Sequence, residues 1–502
     1  MITDIQARIK TLVCALIFTV ITIPSFCQSI YWTEEAKTAY DYISELRIDE
    51  SMYIIRLQSI THPENLIWPY LEDYALFLRI FLQEDIHEIP DFLESSSLRA
   101  DRISVISDSN PLSLMCQAQI HLHQCALRMQ QSQFVSAATD LNQAFRMLKK
   151  NQKLHPEDFA NLRLYALIKI AFGAIPDQYR WLVSMVTSLT GSIDEGLKEL
   201  HMILDKSTAN DNIFMQETIL LTALAEARLN NKPENGLQIL NKFYGKIPVN
   251  RFIQYVMANV NIAAGNNEAA IKILVPDLGD SKTMKIPFMD FMLGRCKLCK
   301  GDDDADIYFK NFILFNKGKH YIKEAYQKLG WYSLLRGDEV SYAANMQQIL
   351  MKGISTTDQD QQAMREAETK EKPHPELLKC RLLFDGGYYD QALSRLTDDF
   401  FNSLTHQTQR LEFLYRKGRV LQAKKSYAEA LHYYSLAMKF GEEDRHYYAC
   451  SAALESGVIH ETLGSDWAAA KFYNMCLNMS PETYSTSLHQ KARTGLSRIG
   501  LE

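Results

Sequence analysis

Toward the C-terminal end of the chain, apolar residues return at intervals of three, four and seven. Leu411, Leu414, Tyr415, Gly418 and Leu421 form one such run, and Tyr427, Ala430, Leu431, Tyr434, Ala437 and Met438 form the next. At about 3.6 residues per turn these intervals place each run on one stripe of an α-helix. A helix with one apolar stripe has to lay it against a neighbour, so the two runs predict an antiparallel helix pair. The plan recurs with Ala453, Gly457, Gly464, Ala469, Tyr473, Cys476 and Pro481. Small residues at fixed places let paired helices approach closely, and large ones fill the space between layers.

The small residue near the middle of each first helix serves as a reference. The series reads Ala258, Gly294, Gly330, Cys380, Gly418 and Gly457, at intervals of 36, 36, 50, 38 and 39 residues. In the second helices Ala270, Ala392, Ala430 and Ala469 take the matching small site, Ala305 stands one residue early, and Tyr342 is large where a small residue is expected. Cys125 with Ala137, Leu141 and Ala144 gives a further frame upstream. This pattern resembles the tetratricopeptide repeat (TPR), a helix pair of about 34 residues. His460 departs from it, standing where an aromatic ring belongs. The resemblance implies an all-α fold, a TPR-like superhelix of stacked antiparallel helix pairs.

The rest of the chain also reads as helical, with apolar residues at helical spacing over Ala36 to Leu46, Trp68 to Leu82 and Ala160 to Phe172. No stretch alternates as a half-buried strand would. Asn235-Gly236 and Asp385-Gly386 sit where turns between paired helices belong. The expected organisation is divergent hairpins over 28–250, repeats over 251–350, a polar linker, long loop or strayed helix over 351–375, and C-terminal repeats over 376–502. Ala171 to Gly191 with Gly196, Leu197 and Leu200, and Phe291 to Gly301, are similar to the tetratricopeptide-39/inclusion-body-clearance family, whose members are intracellular.

The first 27 residues differ. Arg8 and Lys10 precede an apolar run of 13 residues, Thr11 to Ile23, which Pro24 ends. This is the layout of a secretory signal peptide, with cleavage after Cys27 and small residues at Ser25 and Cys27. A spanning helix needs about 20 apolar residues, so a retained anchor is the lesser alternative. Lipidation of Cys27 is another, opposed by Phe26 where a small residue is wanted. The expected location is therefore the periplasm or the cell exterior. A secreted bacterial relative of the same architecture fits both the leader and the repeats.

Composition narrows the function. The formal net charge is −6, with 54 basic and 60 acidic residues and no basic block. That lacks the dense positive field phosphate binding requires, so nucleic acid is not expected as a partner. Seven cysteines follow the leader, an odd number in a large chain, and read as small buried hydrophobes. Cys296-x-x-Cys299 lies too far along its helix for a dipole-activated thiol and has no second ligand pair for zinc. His121-x-His123 puts its rings on different helix faces. Asp302-Asp303-Asp304-x-Asp306 lacks the glycine and the closing glutamate of a calcium loop and suits the start of a second helix. No phosphate-binding, metalloprotease or nucleophile motif occurs. No cofactor, metal or catalytic activity is expected.

In TPR proteins the first helices line a concave groove, at six and three residues before the small site and at one, four and five after it. Here the residues one after are Asn259, Arg295, Trp331, Arg381 and Arg419, and those three before are Tyr255, Phe291, Gln327, Leu377 and Tyr415. Gln422 and Glu461 stand four after. The groove set singled out is Tyr255, Asn259, Arg295, Trp331, Arg381, Tyr415, Arg419 and Gln422. Its arginines predict a peptide or helix partner with acidic groups. The expected function is a non-catalytic scaffold of the envelope or exterior. Glycan capture in the manner of starch-utilisation outer-membrane binders is one alternative, and an intracellular membrane or lipid-droplet protein tethered by its leader is another.

Overall fold

The computed structural model describes residues 28–175, 191–206, 212–245, 250–275, 282–441 and 444–501. The leader, 1–27, and most of the Ala171 to Gly191 segment lie outside the described residues. Those described form twenty-five α-helices and no strand, only an isolated bridge between Ser29 and Asn65. Consecutive helices pack as antiparallel pairs. Pro111–Gln130 lies on Phe134–Leu154, Pro287–Lys300 on Ala305–Phe315, and Ile322–Leu335 on Glu339–Met351. Gln407–Ala423 lies on Tyr427–Phe440, and Tyr448–Thr462 on Asp466–Leu477. The fold is an all-α, TPR-like superhelix.

Small sites and aromatic sites meet as the spacing requires. A Cβ on Gly418 would stand 2.6 Å from Tyr434 Cε1, sixteen residues on. On Gly294 it would stand 3.1 Å from Phe309 Cε1, fifteen residues on. The early Ala305 thus reflects a turn one residue shorter, which shifts the whole second helix. That turn is set by Gly301, left-handed at φ 89°, whose N–H caps the carbonyls of Lys297 and Leu298. Asp302 and Asp304 then pair with Lys297, and Asp303 with Arg336, so the acidic run is consumed by surface ion pairs.

Two expectations need correction. Asn235-Gly236 is not in a turn: it lies in the first turn of helix Pro233–Tyr244, where Gly236 lets that helix approach the Ala223 carbonyl. Residues 351–375 are not simply a linker or loop, because they hold the helix Asp358–Thr369, the strayed-helix alternative. Its polar sequence is explained by what its acids bind. Asp360 is fully buried and accepts the backbone N–H of Tyr321 at 2.8 Å and of Glu324 at 3.0 Å. Helix Ile322–Leu335 has no capping side chain of its own, so a residue from the inserted helix satisfies its orphan donors. Glu366 accepts Gln327 Nε2 at 2.7 Å, Trp331 Nε1 at 3.0 Å and the Tyr342 hydroxyl at 3.0 Å. Burial raises the Glu366 carboxyl pKa against these bonds. Tyr342, the large residue at a small site, is thereby a polar anchor.

Successive coils of the superhelix touch. The Tyr388 hydroxyl accepts Asn267 Nδ2 at 3.0 Å and donates to Glu268 at 2.7 Å, across some 120 residues of chain. The turn holding Gly387 lies directly on Gly265.

Candidate partner-binding trough

Polar side chains of the helices Pro287–Lys300, Ile322–Leu335, Pro375–Asp385 and Gln407–Ala423 border adjoining cavities. Three cavities of about 130, 220 and 390 Å³ run together there. Arg381 of helix Pro375–Asp385 borders all three. Residues one turn apart on a helix share a face, so the positions three before and one after each small site fall together.

The structure brings together Arg295, Trp331, Arg381, Tyr415 and Arg419 of the groove set. The Arg381 guanidinium lies over the Trp331 ring at 4.7 Å, and its nearest carboxylate, Asp385, is 3.9 Å away. Lys328 approaches the same ring at 3.8 Å and pairs with Glu324 at 3.4 Å. Burial pushes the Lys328 ammonium down to about 8. Arg295 has the Phe291 ring at 5.9 Å, with Glu324 and Asp385 acting on it through space. Arg419 is more committed, to Glu455 at 3.3 Å and to the Tyr415 hydroxyl at 3.0 Å.

Three members of the set lie elsewhere. Asn259 accepts Arg228 Nε at 2.7 Å, and Tyr255 packs on the apolar core beside it. Gln422 is occupied internally, donating to Glu455 at 2.8 Å and accepting the Tyr434 hydroxyl. Glu461 repeats the arrangement with the Tyr473 hydroxyl. In these two repeats the residue four after the small site is a structural post that holds a tyrosine. Phe291 and Leu377, both 0% exposed, are core residues rather than groove residues.

Glu324, His374, Glu412 and Ser451, none of them in the groove set, also border the cavities or their rims. Each stands six residues before a small site, so the same frame points to all four. Lys491 lies on the helix Ser485–Arg498, and Tyr484 is the residue just before it. Tyr484 meets Tyr447 at 5.0 Å and closes one wall. Counted over the three cavities, eight Lys and Arg side chains face five Asp and Glu. The lining is thus basic in a chain of net charge −6.

Among the described residues no group of His, Cys, Asp and Glu could hold a metal ion, and no helix is long and apolar enough to cross a membrane. His123 is spent on Asp73 at 2.8 Å and stacks on Phe77. Burial raises the Cys296 thiol to about 12 and the Cys299 thiol further.

No protein-family model matches the sequence, and no curated protein matches it. Solved structures resemble the fold. One is a human IFIT1 dimer with m7Gppp-AAAA, at 12% identity over 83% of this chain and 92% of that one, with a TM-score of 0.36. Another is the APC/C hetero-tetramer Cut9-Hcn1, at 12% identity over 92% and 99%, with a TM-score of 0.27. A third is the P58(IPK) TPR domain, at 12% identity over 86% and 98%, with a TM-score of 0.21.

Proposed function

We propose that this chain is a non-catalytic scaffold whose inner trough holds an acidic peptide or helix of a protein partner. The observation that carries the reading is Arg381. It stands at the junction of the three cavities, stacked on Trp331, with its carboxylate neighbour no closer than 3.9 Å. A planar guanidinium on an indole, held rigid and incompletely neutralised, suits a carboxylate from outside. Tyr415, Tyr447 and Tyr484 add firm contact area of the kind that dominates protein interfaces. The leader supports action outside the cytoplasm, in the periplasm or on the exterior.

The test is binding of labelled Glu/Asp-rich peptides, Lys/Arg-rich peptides and single-stranded RNA to the purified chain. Acidic peptides bind, more weakly as salt rises. Arg381→Glu with Arg419→Glu weakens that binding tenfold or more, with helicity by circular dichroism unchanged. Equal binding by the double variant, or preference for RNA, refutes the reading. Location is tested by sequencing the N-terminus of the mature chain, expected to begin at Gln28.

A further inference from the structure

Cys450 lies in the first turn of helix Tyr448–Thr462, and Cys476 in the last turn of helix Asp466–Leu477. Because the pair is antiparallel, those two ends are adjacent, and the sulfurs stand 3.5 Å apart. Both residues are buried, at 1% and 0% exposure. Neither is bonded to anything else that would fix its thiol for another purpose: Cys450 Sγ reaches the Cys476 carbonyl at 3.5 Å, and Cys476 Sγ reaches the Leu488 carbonyl at 3.9 Å. We propose that Cys450 and Cys476 are a dithiol/disulfide site that staples the last helix pair of the superhelix.

At 3.5 Å the sulfurs are in van der Waals contact, and a disulfide needs them about 1.5 Å closer. The hydrogen bond from Cys476 lowers the Cys450 thiol against its burial, whereas burial raises Cys125 to about 12 and Cys380 to about 11. The thiolate of either cysteine attacks one sulfur of an external disulfide, either a thiol–disulfide oxidoreductase in its oxidised form or oxidised glutathione, and the donor disulfide breaks. The other cysteine then attacks the protein sulfur of the mixed disulfide and expels the second donor thiolate. Two electrons pass to the donor, and its two sulfurs take up the two cysteine protons. Access requires helix Ser485–Arg498 to lift, since its Leu488 covers Cys476. Among the described residues that helix has no following partner, and it buries only Leu488, Ala492, Gly495 and Leu496, so it opens more readily than the interior pairs.

The staple acts on the trough without touching a ligand. Leu488 and Tyr484 border the cavity of about 220 Å³, and the cross-link joins the two helices on which they rest. The site stands whether or not the trough binds an acidic peptide.

The full chain is equilibrated with reduced or oxidised glutathione, denatured, alkylated and mapped by mass spectrometry. After oxidation, the expected product is a linked pair of peptides carrying Cys450 and Cys476, lighter by two hydrogen atoms, with the remaining described cysteines still alkylated. The reduced sample shows no link. Cys450→Ala and Cys476→Ala each abolish it, and the wild-type apparent Tm rises by a few degrees on oxidation while theirs does not. Refolding from urea in the oxidised buffer removes burial as a kinetic limit. A pair still fully alkylated after that step overturns the proposal, as does a link that maps to other cysteines.

Discussion

Tyr473 lies flat on Gly457: a Cβ on that glycine would come within 2.6 Å of the tyrosine ring. The other side of the ring is closed by Gly495, where a Cβ would stand 2.5 Å from Cζ. One aromatic ring is thus clamped between glycines of the helices before and after its own, which fixes the spacing of the last layers.

Gly457→Ala is expected to destabilise the chain by about 1–3 kcal/mol, the usual cost of overpacking a tight core. Urea unfolding followed by circular dichroism measures it. Combined with Tyr473→Leu, which frees the space, the loss should be less than the sum of the single effects. Full additivity would show that the contact does not set the spacing.

Asp360 caps a helix that is not its own. Asp360→Ala leaves the Tyr321 and Glu324 amides without an acceptor, at a cost of about 1–3 kcal/mol. Amide exchange at the start of helix Ile322–Leu335 should accelerate selectively, while exchange in helix Gln407–Ala423 stays unchanged. Uniform acceleration would mean a general loss of stability instead.

Lys328 makes stability depend on pH in the alkaline range. Its folded pKa is about 8, below the ordinary lysine value of 10.5. Below pH 8 it is charged in both states, and the full cost of burying the charge is present. Between those values the unfolded chain holds the extra proton, so stability rises with pH, by about 3 kcal/mol at most. The Lys328→Gln variant lacks this contribution. The stability difference, wild type minus variant, should grow between pH 8 and 10.5; a flat difference would contradict the shift.

The helix pairs were legible because glycine and alanine repeat at near-constant intervals, and only close helix packing demands that. Of the trough, Arg295, Arg381 and Arg419 with Trp331 and Tyr415 were legible from the same frame. Phe291 and Leu377 failed because an apolar residue three before the small site is drawn into the core, whatever the motif allows. Gln422 failed because its amide had a nearer use, receiving a tyrosine hydroxyl one layer below. The inserted helix Asp358–Thr369 was obscured because its stripe is polar: Asp360 and Glu366 earn their burial through hydrogen bonds from residues 24 to 39 positions earlier, a relation no local pattern displays.

Tyr388 bears on how a partner could arrive. By bridging one coil to the next through Asn267 and Glu268, it turns an open spiral into something nearer a sleeve along that side. A segment with a free end can slide along such a passage, whereas an internal loop has to wait for the bridge to part. Residence inside would then follow how often the Tyr388 bonds and the Gly265–Gly387 contact part together.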